Sequence, residues 1–219
     1  MLNLSQQKYY LEDADIKPVT VIGAGSVGSQ VVSMLVRIGI TDITVYDHDS
    51  IESHNVAPSL YGEEDFGMFK VDALAAIILR DTGAAIKVVR KRYEGEPLKR
   101  TVIMCVDTME ARQLVWQKVR NNPLVDVLID TRIAEEFWQL FAISPCNQKE
   151  IAYYEHYLNY TTSEAAPQMC GLHSIIDVSI AVAAEAAYTL RSFWKRGTKN
   201  WHVERLCGGE ISIYPPLES

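Results

Sequence analysis

VTVIGAGSVGSQVVSML, at residues 19–35, is the stretch that decides the fold. An apolar, β-branched run ends at Ile22, three glycines follow within six residues, and apolar residues at helical spacing come next. A strand, a glycine-rich turn and a helix in this order are typical of a nucleotide-binding βα unit. Gly23 permits the tight turn, Gly25 lets a phosphate approach the backbone, and Gly28 lets the helix pack close to the sheet.

An acidic residue is expected about 20 residues after such a turn, where it bonds the ribose hydroxyls. Asp47 occupies that place, directly after a second predicted strand at 43–46. The free N–H groups at the start of the helix would face the phosphates. The alternative is a glycine-rich turn that binds no ligand. The fingerprint does not choose the nucleotide, because dehydrogenases share it.

The segments that follow alternate between strand-like and helix-like patterns. Further strands are predicted at 86–89, 102–106 and 125–129, with helices at 72–80 and 109–120. Short apolar runs that alternate with amphipathic helices indicate parallel strands covered on both faces. We therefore predict an α/β fold with a doubly wound, mostly parallel sheet and helices on both of its faces.

The pattern changes from Phe137 onwards. A strand is predicted at 137–143, a long alanine-rich helix at 175–194 and a terminal strand at 211–215, which together add antiparallel strands. The segment 144–171 is loop-like, although the helical spacing of its tyrosines is more typical of a surface helix than of a protein-binding site. We predict a single domain over residues 1–219, with a nucleotide-binding core at about 17–135 and a C-terminal part at about 136–219.

Composition excludes several classes of protein. The net charge of −7 argues against a nucleic-acid-binding surface. The longest apolar stretch, 175–190, is interrupted by Asp177 and Glu185, so no membrane span is expected. The first 17 residues lack the apolar core of a signal peptide, and the four cysteines are widely separated. These features predict a location in the reducing cytoplasm.

Three further motifs carry a resemblance to a known family. Residues 47–55, DHDSIESHN, resemble the D-x-D-x-V-E-x-S-N stretch of ThiF, MoeB, HesA and ubiquitin-activating (E1-like) adenylation domains. Residues 67–70, GMFK, match the family's G-x-x-K, and residues 105–112, CVDTMEAR, are similar to its D-N/T-x-x-x-R segment. With the glycine turn, these motifs identify the chain as similar to a minimal, divergent member of that family.

The resemblance implies an ATP-dependent adenylyltransferase that uses Mg²⁺ and acts on the C-terminal glycine carboxylate of a ubiquitin-like (β-grasp) protein ending in Gly-Gly. It implies that Asp47 and Asp49 bind ATP, Asp47 through the ribose, and that Asn55 and Lys70 contact the phosphates. Asp107 would hold Mg²⁺, whose preference for hard oxygen ligands suits a carboxylate and a phosphate. Two alternatives stay open: Lys70 as a solvated lysine at a helix start, and Asp107 as a helix N-cap.

The chain departs from the family where positive charge is expected. Pro58 stands where the family motif has a phosphate-binding arginine, and no arginine precedes Arg37 to serve as the second one. Arg132, just past a predicted strand end, is a candidate ATP-binding substitute because ligands bind at that edge of such a sheet. The alternative is a surface arginine paired with Glu135 or Glu136.

The cysteines raise two further questions. The chain has no C-x-x-C pair, so no structural zinc is expected. Cys170 is the candidate thiol for a thioester step, because it precedes the long predicted helix, whose start can lower a thiol pKa, and His173 lies three residues on. The alternative is a small apolar residue near a helix start. Cys105 is predicted to lie in a buried strand as part of the core.

Three hypotheses on function follow. The first is the adenylyltransferase, which we expect to be a homodimer because relatives are dimers. The second is a catalytically inactive scaffold subunit of a heteromeric E1-like assembly, which the missing arginines favour. The third is an NAD-dependent oxidoreductase, for which the segment after residue 112 offers no hydride-transfer site.

Overall fold

In the computed structural model of the chain, which describes residues 3–7, 16–158, 175–206, 209 and 211–214, the glycine-rich stretch folds as predicted. The strand β1 (Val19–Ile22) leads through the turn into the helix α1 (Ser26–Arg37). The later elements are β2 (Ile43–Tyr46), α2 (Lys70–Thr82), β3 (Lys87–Val89), β4 (Arg100–Met104), α3 (Met109–Val119), β5 (Val125–Ile133), β6 (Phe137–Ile143), α4 (Gln148–His156), α5 (Ile176–Arg196), β7 (His202–Leu206) and β8 (Ile211–Tyr214).

The strands form one mixed sheet in the order β3-β2-β1-β4-β5-β6-β7-β8. The first five strands in this order run parallel to one another. The strands β6, β7 and β8 are added in antiparallel fashion. This topology confirms the predicted α/β class, including the antiparallel strands of the C-terminal part.

Helices cover both faces of the sheet, as parallel strands require. On one face, α1, α2 and α5 share a core that includes Val31, Leu74 and Val182. On the other face, α3 and α4 contribute Trp116 and Tyr154 to a second core. Because α5 packs against α1, the C-terminal part shares a core with the part that carries the glycine turn. None of the helices in the described ranges is long and apolar enough to cross a membrane.

The loop-like interpretation of residues 144–171 is wrong for its first half, where α4 forms. Asn147 caps this helix, since its side-chain oxygen accepts hydrogen bonds from the N–H groups of Lys149 and Glu150. The helix buries Ile151 and Tyr154 against the sheet, which fixes it in place. Residues 159–174 lie outside the described part of the chain.

The strand β7 was not predicted, and its first residue, His202, explains how it is held. The imidazole is 1% exposed and is stacked between the rings of Phe141 and Tyr214, at centroid distances of 4.1 and 4.8 Å. The Tyr153 hydroxyl lies 3.0 Å from His202 Nδ1. This aromatic cluster therefore joins α4 to the antiparallel strands.

Burial lowers the pKa of His202 from 6.5 to about 4. The unfolded chain therefore takes up this proton first as the pH falls below 6.5, and the folded state loses stability between pH 6.5 and about 4, by up to about 1.4 kcal/mol per pH unit. We expect a His202→Phe variant to lack this pH-dependent loss of folding stability. Urea unfolding of both proteins at several pH values measures the difference.

The control is His54→Gln, because the His54 side chain is 71% exposed and gains no such burial. Its unfolding free energy should follow that of the wild type at every pH. Parallel pH curves for the wild type and His202→Phe would contradict the prediction.

Candidate active site

The candidate site is a cavity of about 560 Å³ at the carboxyl ends of β1, β2 and β4. Parallel sheets of this type bind ligands at that edge. The predicted site residues that line the cavity are Gly23, Gly25, Asp47, Asp49, Asn55, Lys70 and Asp107. The structure thus brings together residues that are distant in the sequence: Gly23 and Asp107 are 84 positions apart.

The three glycines of the turn have three different physical roles. Gly23 has a φ of +99°, which favours glycine, and a Cβ there would lie 2.3 Å from the carbonyl oxygen of Cys105. At Gly28 a Cβ would lie 2.0 Å from the carbonyl oxygen of Gly23, so the helix packs directly on the turn. At Gly25 a Cβ would meet no atom within 4 Å, because this residue faces the cavity.

The start of α1 is the donor-rich wall of the cavity. Gly25 is the N-cap residue, and no side chain caps the helix. The first N–H groups of a helix have no partners within the helix and carry about half a positive charge together. This wall therefore suits an anionic group such as a phosphate.

Asp47 ties the turn to the end of β2. Its Oδ2 accepts a hydrogen bond from the Ala24 N–H at 2.7 Å, and its Oδ1 accepts one from the Asp49 N–H at 2.9 Å. Each carboxylate oxygen retains a second lone pair that can accept a hydroxyl proton. Asp47 lines the cavity in this position, as the sequence predicts for a ribose-binding carboxylate.

Lys70, the first residue of α2, is held in the cavity wall by Asp49. Its ammonium nitrogen lies 2.8 Å from Asp49 Oδ2, and the residue is only 9% exposed. Burial of Asp49 opposes its ionisation, but the Lys70 hydrogen bond and charge outweigh this and hold the Asp49 pKa below 3.8. The alternative of a solvated lysine at a helix start is therefore wrong.

Asn55 lines the cavity from a short 3-10 helix at Ser53–Asn55. Its Oδ1 accepts a hydrogen bond from the Glu52 N–H at 3.0 Å. This bond fixes the side chain and leaves the amide nitrogen as the group that can donate to a ligand.

Asp107 follows β4 and lines the cavity as an exposed residue. The N-cap of α3 is its neighbour Thr108, whose hydroxyl accepts a hydrogen bond from the Ala111 N–H at 3.3 Å. The alternative of Asp107 as the N-cap is therefore wrong. Among the described residues, its carboxylate has no ion pair, which leaves it available to a cation.

Arg132 lies away from the cavity. Thr131 and Ile133 line the cavity, and because side chains alternate along a strand, Arg132 points to the other face of β5. It is 6% exposed, and its Nε lies 2.8 Å from Asp130. Its position therefore does not support the predicted ATP contact, and the alternative of a surface arginine paired with Glu135 or Glu136 is also wrong.

Asp130 is fully buried and accepts hydrogen bonds from side chains of α3, α4 and β5. Arg112, which lines the cavity, reaches Asp130 Oδ1 at 2.9 Å, and the Tyr154 hydroxyl donates to Oδ2 at 2.9 Å. Arg132 shares Oδ2 with this tyrosine. The carboxylate thus connects Arg112 in the cavity wall to α4.

Cys105 lies just past β4, which ends at Met104, so its predicted place within a strand is corrected. It lines the floor of the cavity beside Gly28. Burial raises the pKa of its thiol to about 12, which makes it a poor nucleophile. Cys146 is exposed, while Cys170 and His173 lie outside the described residues.

Sequence reasoning missed the part of the wall that follows β3. Arg92 and Tyr93 line the cavity there; the Arg92 guanidinium is 3.3 Å from His48, and the Tyr93 ring packs edge-on against Tyr46 at 5.8 Å. Their position after a predicted parallel strand was the available signal, because the carboxyl ends of such strands meet at one edge.

A family model matches most of the chain. The ThiF family model covers residues 10–191. Among curated proteins, the ubiquitin-like modifier-activating enzyme 5 of Aedes aegypti is 30% identical over 120 residues, which cover 45% of this chain and 30% of that protein. The corresponding enzyme of Branchiostoma floridae is 28% identical over 137 residues, 53% of this chain and 33% of that protein. The matched segments span about a third of these relatives.

Solved structures with the same fold match almost the whole chain. The crystal structure of E. coli MccB with ATP has a TM-score of 0.73 at 18% identity and covers 96% of this chain and 66% of that chain. The structure of PaaA has a TM-score of 0.72 at 12% identity and covers 94% of this chain and 66% of that chain. These similarities confirm the α/β fold.

The glycine contacts predict opposite outcomes for two alanine substitutions. Gly28→Ala should destabilise the fold by about 1–3 kcal/mol or more, because the new methyl group would overlap the Gly23 carbonyl. Gly25→Ala should change the free energy of unfolding by about 0.5 kcal/mol or less, since its methyl group enters open space. Denaturant unfolding compares the two, and equal destabilisation would contradict this account of the turn.

Proposed function

Because the chain belongs to the ThiF family, we propose that it is an ATP-dependent adenylyltransferase that activates the C-terminal glycine carboxylate of a ubiquitin-like (β-grasp) protein. One observation carries the proposal: Lys70 and Asp107 line the same cavity as the glycine turn, from different elements of the fold. A cation and a carboxylate at a helix N-terminus form a suitable site for a metal-bound triphosphate.

The proposed reaction joins the substrate carboxylate to AMP. A carboxylate oxygen attacks the α-phosphorus of ATP, the bond between that phosphorus and the oxygen bridging to the β-phosphorus breaks, and pyrophosphate leaves with the electron pair. The product is an acyl-adenylate. Alignment of the reactants and neutralisation of charge supply most of the catalysis in such transfers.

Each residue of the cavity has a proposed role in this reaction. Asp47 accepts from the ribose hydroxyls while it holds the turn, and Asn55 donates to the phosphates. Lys70 neutralises charge on the departing pyrophosphate. Asp49 fixes the lysine in place beforehand, at a distance of 2.8 Å, so that less ordering is required when ATP binds.

Mg²⁺ fits Asp107 better than it fits the acidic group after β2. The ligand atoms of Asp47, His48 and Asp49 lie within 4.8 Å of one another, but both oxygens of Asp47 accept backbone hydrogen bonds and Asp49 is paired with Lys70. The Asp107 carboxylate has no such partner in the described part of the chain. Mg²⁺ bound there would neutralise phosphate charge.

A homodimer in the cytoplasm is the proposed working form. The helix α5 exposes Ile176, Ile180 and Tyr188, which are 37%, 40% and 45% exposed and lie four and eight residues apart. This spacing aligns them on one side of the helix as an apolar stripe. Such a stripe supports association with a second copy.

The inactive scaffold is the second candidate, and Pro58 is the observation that favours it. This proline lines the cavity in the place of the family's phosphate-binding arginine, and it carries no charge. A transition-state arginine can be worth about 10³–10⁵ in rate. Arg92 adds one cation to the same cavity, which favours activity.

ATP–pyrophosphate exchange tests the first candidate against the second. The purified protein, with ATP, Mg²⁺ and each ubiquitin-like protein of the same genome that ends in Gly-Gly, should exchange labelled pyrophosphate into ATP with one of these partners. Lys70→Met and Asp107→Asn should each lower the exchange rate on the order of 10²-fold or more, because each removes charge stabilisation at the phosphates.

Lys87→Met and Asp42→Asn are matched controls. Lys87 pairs with Asp42 at 2.9 Å, much as Lys70 pairs with Asp49, but neither control residue lines the cavity. Both variants should retain the exchange rate of the wild type. ATP binding without exchange for any partner would support the scaffold, and NAD binding that ATP does not displace would support an oxidoreductase.

Transfer of the acyl group to Cys170 is proposed as a second step. The Cys170 thiolate would attack the acyl carbon, AMP would leave, and a thioester would form. A covalent adduct with the partner that an added thiol cleaves should appear in the Cys146→Ala and Cys207→Ala variants and be absent from Cys170→Ala. An adduct that survives Cys170→Ala would overturn this step and leave the adenylation proposal intact.

A further inference from the structure

We propose that Tyr61 is a positioning residue for the nucleotide phosphates, because its hydroxyl turns the Gly25 N–H toward the cavity. This inference rests on the proposed binding of ATP. It concerns a side chain that touches no part of the cavity surface and is only 3% exposed. Tyr61 therefore acts through the backbone of the turn.

The two peptide groups around Ala24 are held from opposite directions. The Tyr61 hydroxyl donates a hydrogen bond to the Ala24 carbonyl oxygen at 2.5 Å. The Ala24 N–H donates to Asp47 Oδ2 at 2.7 Å. The bond from the Ala24 N–H fixes the peptide that precedes Ala24. The bond from the Tyr61 hydroxyl fixes the peptide that follows it.

The second of these peptides includes the Gly25 N–H. All described peptide bonds are trans, so the N–H of a peptide points away from its C=O. When Tyr61 draws the Ala24 carbonyl into the core, the Gly25 N–H is directed outward, and Gly25 lines the cavity. This N–H becomes a donor aimed at the place of a phosphate.

Glycine makes this restraint necessary. Gly25 lacks a side chain, so its backbone can adopt many conformations, and a peptide between Ala24 and Gly25 could rotate at little cost. Gly25 cannot be exchanged for a stiffer residue without placing a methyl group in the cavity. A hydrogen bond from the core fixes the peptide while the glycine keeps the space open.

The chemistry of Tyr61 suits a permanent donor. Burial, with the nearby Asp47 and Asp65 carboxylates, raises the pKa of its hydroxyl well above 10.0. The phenol thus keeps its proton throughout the pH range of an enzyme assay. Asn55 is linked to the same segment, because its carbonyl oxygen accepts a hydrogen bond from the Ser59 hydroxyl, which in turn accepts from the Tyr61 N–H.

Tyr61→Phe tests the proposal, because it removes the hydroxyl and keeps the ring in the core. We expect the dissociation constant for ATP to rise about fivefold or more, which corresponds to about 1 kcal/mol, the value of one hydrogen bond. The dissociation constant for adenosine, which has no phosphate, should stay within twofold of the wild type. Calorimetric titration with each ligand measures both. Tyr214→Phe, which removes a hydroxyl from β8 outside the cavity, is the control and should change neither.

The outcomes separate this proposal from the one it rests on. A wild type that does not bind ATP would overturn both. If the wild type binds ATP, equal weakening of ATP and adenosine would indicate a purely structural role for Tyr61, and no weakening would indicate no role. A Tyr61→Phe variant that fails to fold by circular dichroism would also overturn the positioning role.

Discussion

The Asp47 carboxylate is the interaction on which the rest of the site depends. It accepts the Ala24 N–H with one oxygen and the Asp49 N–H with the other, and Asp49 in turn holds Lys70 at 2.8 Å. A single side chain thus sets the distance between the glycine turn and the lysine, although they belong to different elements. Both of its bonds come from backbone N–H groups, so they order the turn and the segment after β2 before any ligand binds.

Local patterns were sufficient for the order of strands and helices, because buried parallel strands and amphipathic helices have distinct periods. The elements that escaped prediction are those whose stability comes from distant contacts. The helix α4 depends on burial of Tyr154, and β7 depends on the stacking of His202 between rings from two other strands. The helical spacing of the tyrosines in 144–171 was the one local indication of α4, and the sequence contained no such indication of β7.

The site shows the same division between local and distant information. The glycine turn, Asp47, Lys70 and Asp107 follow from motifs, and the structure gathers them around one cavity. Arg132 was placed at the correct edge of the sheet, but the alternation of side chains along β5 sends it to the opposite face. Arg92 and Tyr93 lie in no motif, and only the pairing of β3 with β2 brings them to the cavity.

The buried triad of Arg112, Asp130 and Arg132 has a consequence for how this protein can change during evolution. Loss of one charge from a buried group leaves the others uncompensated, and this costs more than exchange of the whole group for apolar residues. Single substitutions at these three positions are therefore selected against, whereas joint replacement is tolerated. Homologous chains should inherit the three residues together or lack all three, so that a shared history links the wall of the cavity to the core beneath α4.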